Sequence, residues 1–424
     1  MASTPQKTEN AVPPVSVESL KIRNFRNLQR LDIELPAAGV VILGPNGAGK
    51  TNLVEAIYYL EIFRSFRGVR DRDLIRFGED VFRVEAVTPE SSGQTEIAAA
   101  YQRTTRRKKV EVEGAEAGRL VDALGRLGAV VFSLDDAEIV AGSPGGRRRF
   151  LDILLSRVRP GYVANLQRYR AVLSQRNEAL RSGASSAAVE AWTAGLVEPA
   201  ARVMAERDRW IGRVSAEFSR YHAEIAGGGA GVLRYEPGLA GLNADHASKS
   251  APSKSAPSES AASDAAAGEA PREPGAAPPG GGEEMWAAWL REGLDRTAER
   301  ERRHGATQVG PHRDDLAILA AVDSTQELRD LRRFGSGGQR RTAAIGLRLL
   351  EADSVAEHSG RDALYLLDDV FAELDRERSE RVVSLLDTNR SGQIVMTAPK
   401  SADMPLRGGN LSQWRILNGE VHAA

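Results

Sequence analysis

Cysteine is absent from the 424-residue chain. That excludes disulfides, iron–sulfur clusters and cysteine-ligated zinc, and it fits a reducing cytoplasm. No apolar run approaches the roughly 20 residues that a membrane-spanning helix needs. A basic excess is missing too: 57 Lys and Arg stand against 58 Asp and Glu, a formal net charge of −1. Any nucleic-acid surface therefore has to be a local patch. The opening stretch, MASTPQKTENAVPPVSVES, lacks the basic start and apolar core of a signal peptide, and residues 1–16 read as a short disordered tail. Heptads over hundreds of residues are also lacking, which excludes an extended coiled-coil rod. What remains is an ordinary globular composition, 42% hydrophobic and 27% charged, long enough for a large core and two lobes.

Within that composition residues 40–60, VVILGPNGAGKTNLVEAIYYL, stand out. Val40–Leu43 reads as a buried strand. Gly44-Pro45-Asn46-Gly47-Ala48-Gly49-Lys50-Thr51 fits G-x-x-x-x-G-K-[ST] at every fixed position. Asn52–Leu60 is apolar at Leu53, Ala56, Ile57 and Leu60, which is helical spacing. The glycines let successive backbone N–H groups turn toward one anion, and the helix start adds its positive dipole end. Lys50 can reach the β- and γ-phosphates of a nucleoside triphosphate, and the Thr51 hydroxyl can ligate Mg2+. A bound nucleoside triphosphate is the reading.

Upstream, Val17–Phe25 and Leu31–Leu35 read as strands joined by the turn Asn24-Phe25-Arg26-Asn27. Arg26 is a candidate nucleotide contact; a solvated hairpin arginine is the alternative. The stretch Phe63–Asp80, rich in arginine and glycine, reads as an irregular exposed connection. Phe82–Val87 and Thr95–Gln102 are strands. The basic run after them holds Arg103, Arg106, Arg107, Lys108 and Lys109 at a hairpin tip. Either it is a solvated turn or it contacts a phosphate backbone. Arg147, Arg148 and Arg149, after the break at Gly142–Gly146, form a second such patch.

Up to residue 146 the pattern is that of the first part of an ATPase lobe, from residue 17. From 147 to 305 it becomes helical, with amphipathic stretches at Tyr162–Arg181, Ala188–Ile225 and Met285–Arg303. Helices of about 20–35 residues reach about 30–50 Å. Residues 243–284, rich in Ala, Ser, Pro and Gly, read as a disordered insertion in that helical lobe. The α/β character returns at 306–424.

LYLLDDVFAELD, Leu364–Asp375, supplies what the phosphate loop lacks. A buried strand ending in carboxylates sets them at the sheet's carboxyl edge. Asp368 would hold Mg2+, and Asp369 would orient or deprotonate the attacking water. Ser336-Gly337-Gly338-Gln339 opens a helix and forms another anion site. In ABC-type ATPases each ATP lies between the phosphate loop of one subunit and a Ser-Gly signature loop of another, and the motif order here matches that head.

Several stretches now carry a narrower resemblance: KIRNFRNL at 21–28, SFRG at 65–68, SPGGRRRFLD at 143–152, QRNEALR at 175–181, VGPHRDDL at 309–316 and GQRRT at 338–342. With the phosphate loop and LYLLDDVFAELD, the chain resembles the RecF family, relatives of the SMC and Rad50 heads. The resemblance spans nearly everything but the tail and the insertion. It implies an α/β ABC-type ATPase head with an inserted α-helical arm lobe. It implies ATP and Mg2+ as cofactors, and an ATP-dependent homodimer that clamps duplex and single-stranded or gapped DNA. Slow, DNA-stimulated hydrolysis would release the clamp. The partners it implies are RecR and RecO, with RecA loading at single-stranded gaps and stalled forks as the outcome, in the cytoplasm.

By motif position Lys50, Thr51, Asp368 and Asp369 carry over as site residues. Ser336 carries over as a serine acting across the dimer, and Thr397 stands where transporter ATPases often have a γ-phosphate-sensing histidine. Two departures are visible. Gly335 takes the place of a bulky signature residue, and Asp369 replaces the more usual Glu. A transporter ATPase subunit is the rival reading, allowed by the short signature-to-acid spacing; the helical lobe, the RecF stretches and Thr397 speak against it.

Overall fold

The computed structural model describes residues 15–90, 93–238, 280–321, 327–387, 391–400 and 411–423. The expected tail up to residue 14 and the expected insertion from 243 to 279 lie outside them. The chain opens with β1 (Ser19–Phe25), β2 (Leu28–Glu34), β3 (Gly39–Leu43) and α1 (Lys50–Ile62). Next come β4 (Val81–Glu90), β5 (Gly93–Gln102), β6 (Arg107–Val112), β7 (Ala115–Glu116) and β8 (Ala129–Ser133). α2 (Ala137–Ala141), α3 (Pro144–Val158), α4 (Tyr162–Arg181), α5 (Ser186–Ala226), β9 (Gly231–Glu236) and α6 (Glu283–His304) follow. The remainder runs β10 (Asp315–Ala321), β11 (Leu328–Asp330), α7 (Leu331–Phe334), α8 (Gly337–Ser359), β12 (Leu364–Asp368), α9 (Arg376–Asp387), β13 (Ile394–Ala398), β14 (Ser412–Leu417) and β15 (Glu420–Ala423).

Two six-stranded sheets frame the nucleotide-binding motifs. One is antiparallel, in the order β2-β1-β4-β5-β6-β7. The other has the order β15-β14-β3-β13-β12-β8, parallel except for β15. β12 sits inside the parallel sheet, and all five of its residues, LYLLD, are buried. That explains its unbroken apolar run: a parallel strand covered on both faces has no polar side to alternate with. α1 packs on this sheet with Leu53, Val54, Ala56, Ile57 and Leu60 in one continuous core with β1, β4 and β5. No described helix is long and apolar enough to cross a membrane.

The chain divides into two units. The first comprises Met1–Pro160, Val214–Val232 and Ile318–Ala424; the second comprises Gly161–Arg213 and Leu233–Ala317. The lobe change expected at residue 147 therefore falls later, at 160. α3 stays with the first unit because Phe150, Leu151, Leu154 and Leu155 are buried and Arg157 pairs with Glu61 of α1 and Glu351 of α8. The helix expected over Ala188–Ile225 is one continuous α5 of 41 residues, with Pro199 inside it. At 1.5 Å per residue it is about 60 Å long, beyond the range expected from sequence.

The second unit has its own core. Leu196, Val197, Ala200, Ala201 and Met204 of α5 meet Trp286, Trp289, Leu290 and Leu294 of α6. The narrow family stretches supply its buried polar framework. Asp314 of VGPHRDDL accepts from the Arg207 guanidinium at 3.2 Å and from the Gly238 N–H at 3.0 Å, and it also binds the Tyr235 hydroxyl. Arg176 of QRNEALR pairs with Glu301 at 2.8 Å and donates to the Thr193 and Thr307 hydroxyls. A buried arginine needs this many acceptors to offset its lost hydration.

One expectation is corrected in the first unit. The connection Phe63–Asp80 is irregular but not simply exposed: Phe63, Ser65, Leu74 and Ile75 are buried. Those four residues feed the core, while others, Phe77 among them, reach solvent.

Candidate nucleotide site

Four parallel strands end at one edge of their sheet. The registers pair Ala398 with Leu43, Thr397 with Asp368, and Asp368 with Ser133. The phosphate loop leaves β3 at this edge, and the carboxylates of β12 arrive there. The Thr51 hydroxyl donates to Asp368 Oδ1 at 3.0 Å, across 317 positions of sequence. Thr397 Oγ1 lies 3.0 Å from the same oxygen and 3.3 Å from Asp369 Oδ1, and it accepts from the Asp369 N–H at 3.0 Å. The structure thus brings Thr51, Asp368, Asp369 and Thr397 together, as the motifs require.

Asp369 has a φ of 49°, in the left-handed region, which Asp tolerates better than most residues. The chain turns sharply there, off the strand. Burial pushes the Asp368 carboxyl up to about 6, against the two hydroxyl bonds that favour its charged form. A carboxylate raised this way, with two hydroxyls beside it, is a hard-oxygen set suited to Mg2+. Among the described residues no cluster of three or more His, Cys, Asp or Glu could hold a metal alone. Mg2+ is usually held by one or two carboxylates with phosphate oxygens completing the shell.

The loop itself is braced from β1 and β2. Lys50 is buried, and its ammonium donates to the Gly44 and Pro45 carbonyls at 2.9 and 3.3 Å. Incoming phosphate oxygens would replace those carbonyls as acceptors. Gly49 has a φ of 116°, and a Cβ there would stand 2.8 Å from Asn27 Oδ1, so only glycine fits. Asn27 donates to the Ala48 carbonyl at 3.1 Å and accepts from Asn52 at 2.8 Å. Sequence reading placed Asn27 only in a turn and missed this role. The signal was its place in KIRNFRNL, one residue after Arg26.

Arg26 turns elsewhere. Its guanidinium makes a two-pronged pair with Glu55 of α1 at 3.0 and 3.1 Å, and Glu55 is fully buried with Ser65 on its other side. Arg26 is thus a strut for the phosphate-loop helix. Arg67, from SFRG, is the cation whose charge lowers the Asp368 carboxyl, so it stands closer to the site than its place in an open connection suggested.

The signature loop forms its own helix start. Ser336 Oγ accepts from the Gln339 N–H at 3.2 Å, and Gln339 Oε1 accepts from the Ser336 N–H at 2.8 Å, a reciprocal capping box. Ser336 and Gly337 are exposed at the head of the 23-residue α8. Gly335, the departure from the usual signature, has a reason: a Cβ there would meet the Leu331 carbonyl oxygen at 2.6 Å.

The two basic patches separate into different roles. Arg147 is buried and donates to the carbonyls of Val140 and Gly142 at 3.2 and 2.9 Å, capping the end of α2. It is not a surface cation, which corrects the reading of Arg147–Arg149 as one patch; Arg149 is exposed and Arg148 half-buried. Lys108 also turns inward. Its ammonium pairs with Asp71 at 2.9 Å, binds the Phe63 carbonyl and lies 5.3 Å from the centre of the Tyr59 ring. Arg107 pairs with Glu116 at 2.9 Å, and Lys109 pairs with Glu111. Arg103 and Arg106 are exposed at the tip itself.

Comparison with known proteins agrees with this geometry. Residues 16–406 match the model of the RecF/RecN/SMC N terminal domain. The DNA replication and repair protein RecF of Nostoc punctiforme is 32% identical over 406 residues, covering 94% of this chain and 95% of that one. RecF of Gloeobacter violaceus is 33% identical over 387 residues, covering 90% and 91%. Among solved structures, the recombination mediator protein RecF with ATPrS superposes with a TM-score of 0.78 at 27% identity, covering 97% of this chain and 99% of that one. The Smc head domain of Pyrococcus furiosus, at 16% identity and a TM-score of 0.53, shares the fold. The fold is an ABC-type ATPase head carrying an inserted helical lobe, and the chain belongs to the RecF family.

Proposed function

We propose that this chain is an ATP-driven DNA clamp of recombinational repair and replication restart. The observation that carries the reading is the convergence of Thr51, Asp368, Asp369 and Thr397 at the mouth of the phosphate loop. The backbone N–H groups of Asn46–Thr51, with Lys50, take the phosphates of ATP, assisted by the Asn46 and Asn52 side chains and the dipole of α1. Thr51 and Asp368 would hold Mg2+, which would supply positive charge against the bound phosphates. Asp369 positions the attacking water, and Thr397 fixes the two carboxylates around it. Asp has a shorter reach than Glu, which suits slow, DNA-stimulated turnover.

The Ser336–Gly337–Gly338–Gln339 helix start, exposed at Ser336 and Gly337, is the complementary half. Its N–H groups and hydroxyl face the γ-phosphate bound by a second copy, so that ATP closes a homodimer and hydrolysis opens it. RecR and RecO are the partners in this reading, and RecA loading at single-stranded gaps is the outcome in the cytoplasm. The solved relative's description as a recombination mediator in the RecFOR pathway supports that assignment.

The test is retardation of a gapped duplex with and without ATP, using the parent and Lys50→Arg. ATP-dependent retardation lost in the variant is expected; retardation indifferent to both would sink the clamp. Ser336→Arg should abolish ATP-dependent dimerisation in the ultracentrifuge while nucleotide still binds the monomer. A normal dimer would refute the role of the signature serine.

A further inference from the structure

Phe77 is fully exposed, at 101% of its reference surface. A lone surface aromatic needs no explanation in general. Here the surroundings do: it stands at the tip of a rigid turn. The Arg76 N–H donates to the Asn24 carbonyl at 2.8 Å, and the Glu79 N–H donates to the Arg76 carbonyl at 3.1 Å. Asn24 Nδ2 donates to Glu79 at 3.2 Å, and Arg76 Nη1 donates to the Asn27 carbonyl at 2.7 Å. Leu74 and Ile75, just before it, are buried, and Ile75 bridges to Phe25. Arg76 and Glu79 on either side are anchored, yet the ring is not used for packing.

Beside the ring lies the tip of the basic β5–β6 hairpin. Asp80, three residues on, holds the tip of the β5–β6 hairpin through the N–H groups of Arg103 and Thr104 at 2.8 and 3.0 Å. The registers Arg23 to Arg83 and Val81 to Gln102 set the β1–β2 turn, the Phe77 turn and this tip along one edge of the antiparallel sheet. Arg103 and Arg106 are exposed at that tip. Glu79 and Asp80 are held by the Asn24 amide and the Thr104 hydroxyl, and Asp71 pairs with Lys108.

We propose that Phe77 is a stacking platform for an unpaired nucleobase, with the flanking arginines holding the strand's phosphates. This rests on the DNA-clamp reading above and names the structure it selects, an exposed base at a gap or single-stranded segment. An aromatic face accepts any base, and the surrounding cations track the backbone; together they give affinity without sequence preference. The turn shares Asn27 with the phosphate loop, through Arg76 on one side and Ala48 on the other. The platform and the nucleotide site are therefore built on one support.

The test compares full-length parent, Phe77→Ala and Phe77→Trp with ATP. The probes are a single-stranded oligonucleotide, a gapped duplex carrying 2-aminopurine in the gap, and a fully paired duplex. Phe77→Ala should weaken binding to the first two by about 5- to 100-fold, the range of one base–aromatic stack. Its affinity for the paired duplex, its salt slope and its thermal midpoint should be unchanged. Phe77→Trp should restore binding, and its added indole emission should be quenched by the gapped probe. Equal losses on paired and unpaired DNA, or no loss at all, would overturn the stacking role. Loss of ATP-dependent dimerisation in Phe77→Ala would overturn it in favour of a contact between copies. If the parent itself bound no DNA with ATP, the clamp reading would fall first and this inference with it.

Discussion

Glu61, near the end of α1, and Glu351, in the middle of α8, are held by a single guanidinium. Arg157 reaches Glu61 at 2.7 Å and Glu351 at 2.6 Å, and all three side chains are buried. Glu351 also takes Arg348 at 2.6 Å, which in turn binds Asp136. The helix that begins at the phosphate loop is thereby tied to the helix that begins at the signature serine. Removing Arg157 would leave two buried carboxylates facing each other. Arg157→Leu is expected to cost about 3–5 kcal/mol in urea unfolding, as for other broken buried pairs. A loss below about 1 kcal/mol would show that the site relaxes or admits water.

Asp368 is mostly buried and carries its charge at a cost in the metal-free chain, since burial lifts its carboxyl to about 6. Asp368→Asn keeps an oxygen that accepts from Thr51 and Thr397 but removes that charge. The variant should unfold at a higher temperature than the parent without Mg2+, by the equivalent of about 1–3 kcal/mol. Its Mg2+-dependent ATP affinity should fall at least about 10-fold, the scale of one charge-assisted contact. A less stable variant that kept its Mg2+ dependence would contradict both the buried charge and the metal role.

His222, near the end of α5, is buried, and burial together with the nearby Arg378 charge lowers its pKa below the ordinary 6.5. Its folded-state value is depressed, so its neutral form supports the fold above about pH 6.5, and that support is lost as pH falls through it. The thermal midpoint should therefore drop between pH 7 and 5. In His222→Leu the drop should be shallower. Parallel pH curves for the two proteins would count against His222 as the source.

The basic hairpin should divide in solution as it does in the structure. Charge reversal at Arg103 and Arg106 together should weaken DNA binding and reduce the salt slope by roughly 1–2, the change expected for two phosphate contacts. Lys108→Met should lower stability through the lost Asp71 pair and leave the slope alone. If Lys108 carried the slope and the tip arginines did not, the inward assignment would be wrong.

Much of the nucleotide site was legible in the sequence because its parts are short, local and chemically unusual. The eight-residue loop, the buried strand ending in Asp368-Asp369 and the serine-capped helix start each announce themselves within a dozen positions. Thr397 could be placed because the last apolar strand ends there. What stayed hidden depends on partners far along the chain. Nothing local shows that Arg147 caps α2, that Lys108 turns inward to Asp71, or that Arg26 is a strut for Glu55. Charge runs look alike in sequence whether their ends meet water or a buried acceptor. The stretches VGPHRDDL and QRNEALR carried the family resemblance without showing what their polar residues do. In the fold Asp314 binds Arg207 and Arg176 binds Glu301, partners far along the chain inside the second unit.

The phosphate-loop strand β3, residues 39–43, is flanked by β13 at 394–398 and β14 at 412–417. During synthesis this apolar strand leaves the ribosome early, and both its neighbours emerge only hundreds of residues later. At about 5–20 residues per second the wait is on the order of tens of seconds. Through that interval both edges of Val40–Leu43 lie open, a template for wrong pairing. The hydrogen bond from the Gly419 N–H to the Ala48 carbonyl, at 3.0 Å, closes only after that wait. The nascent chain thus cannot present a finished nucleotide site while most of its length is being made.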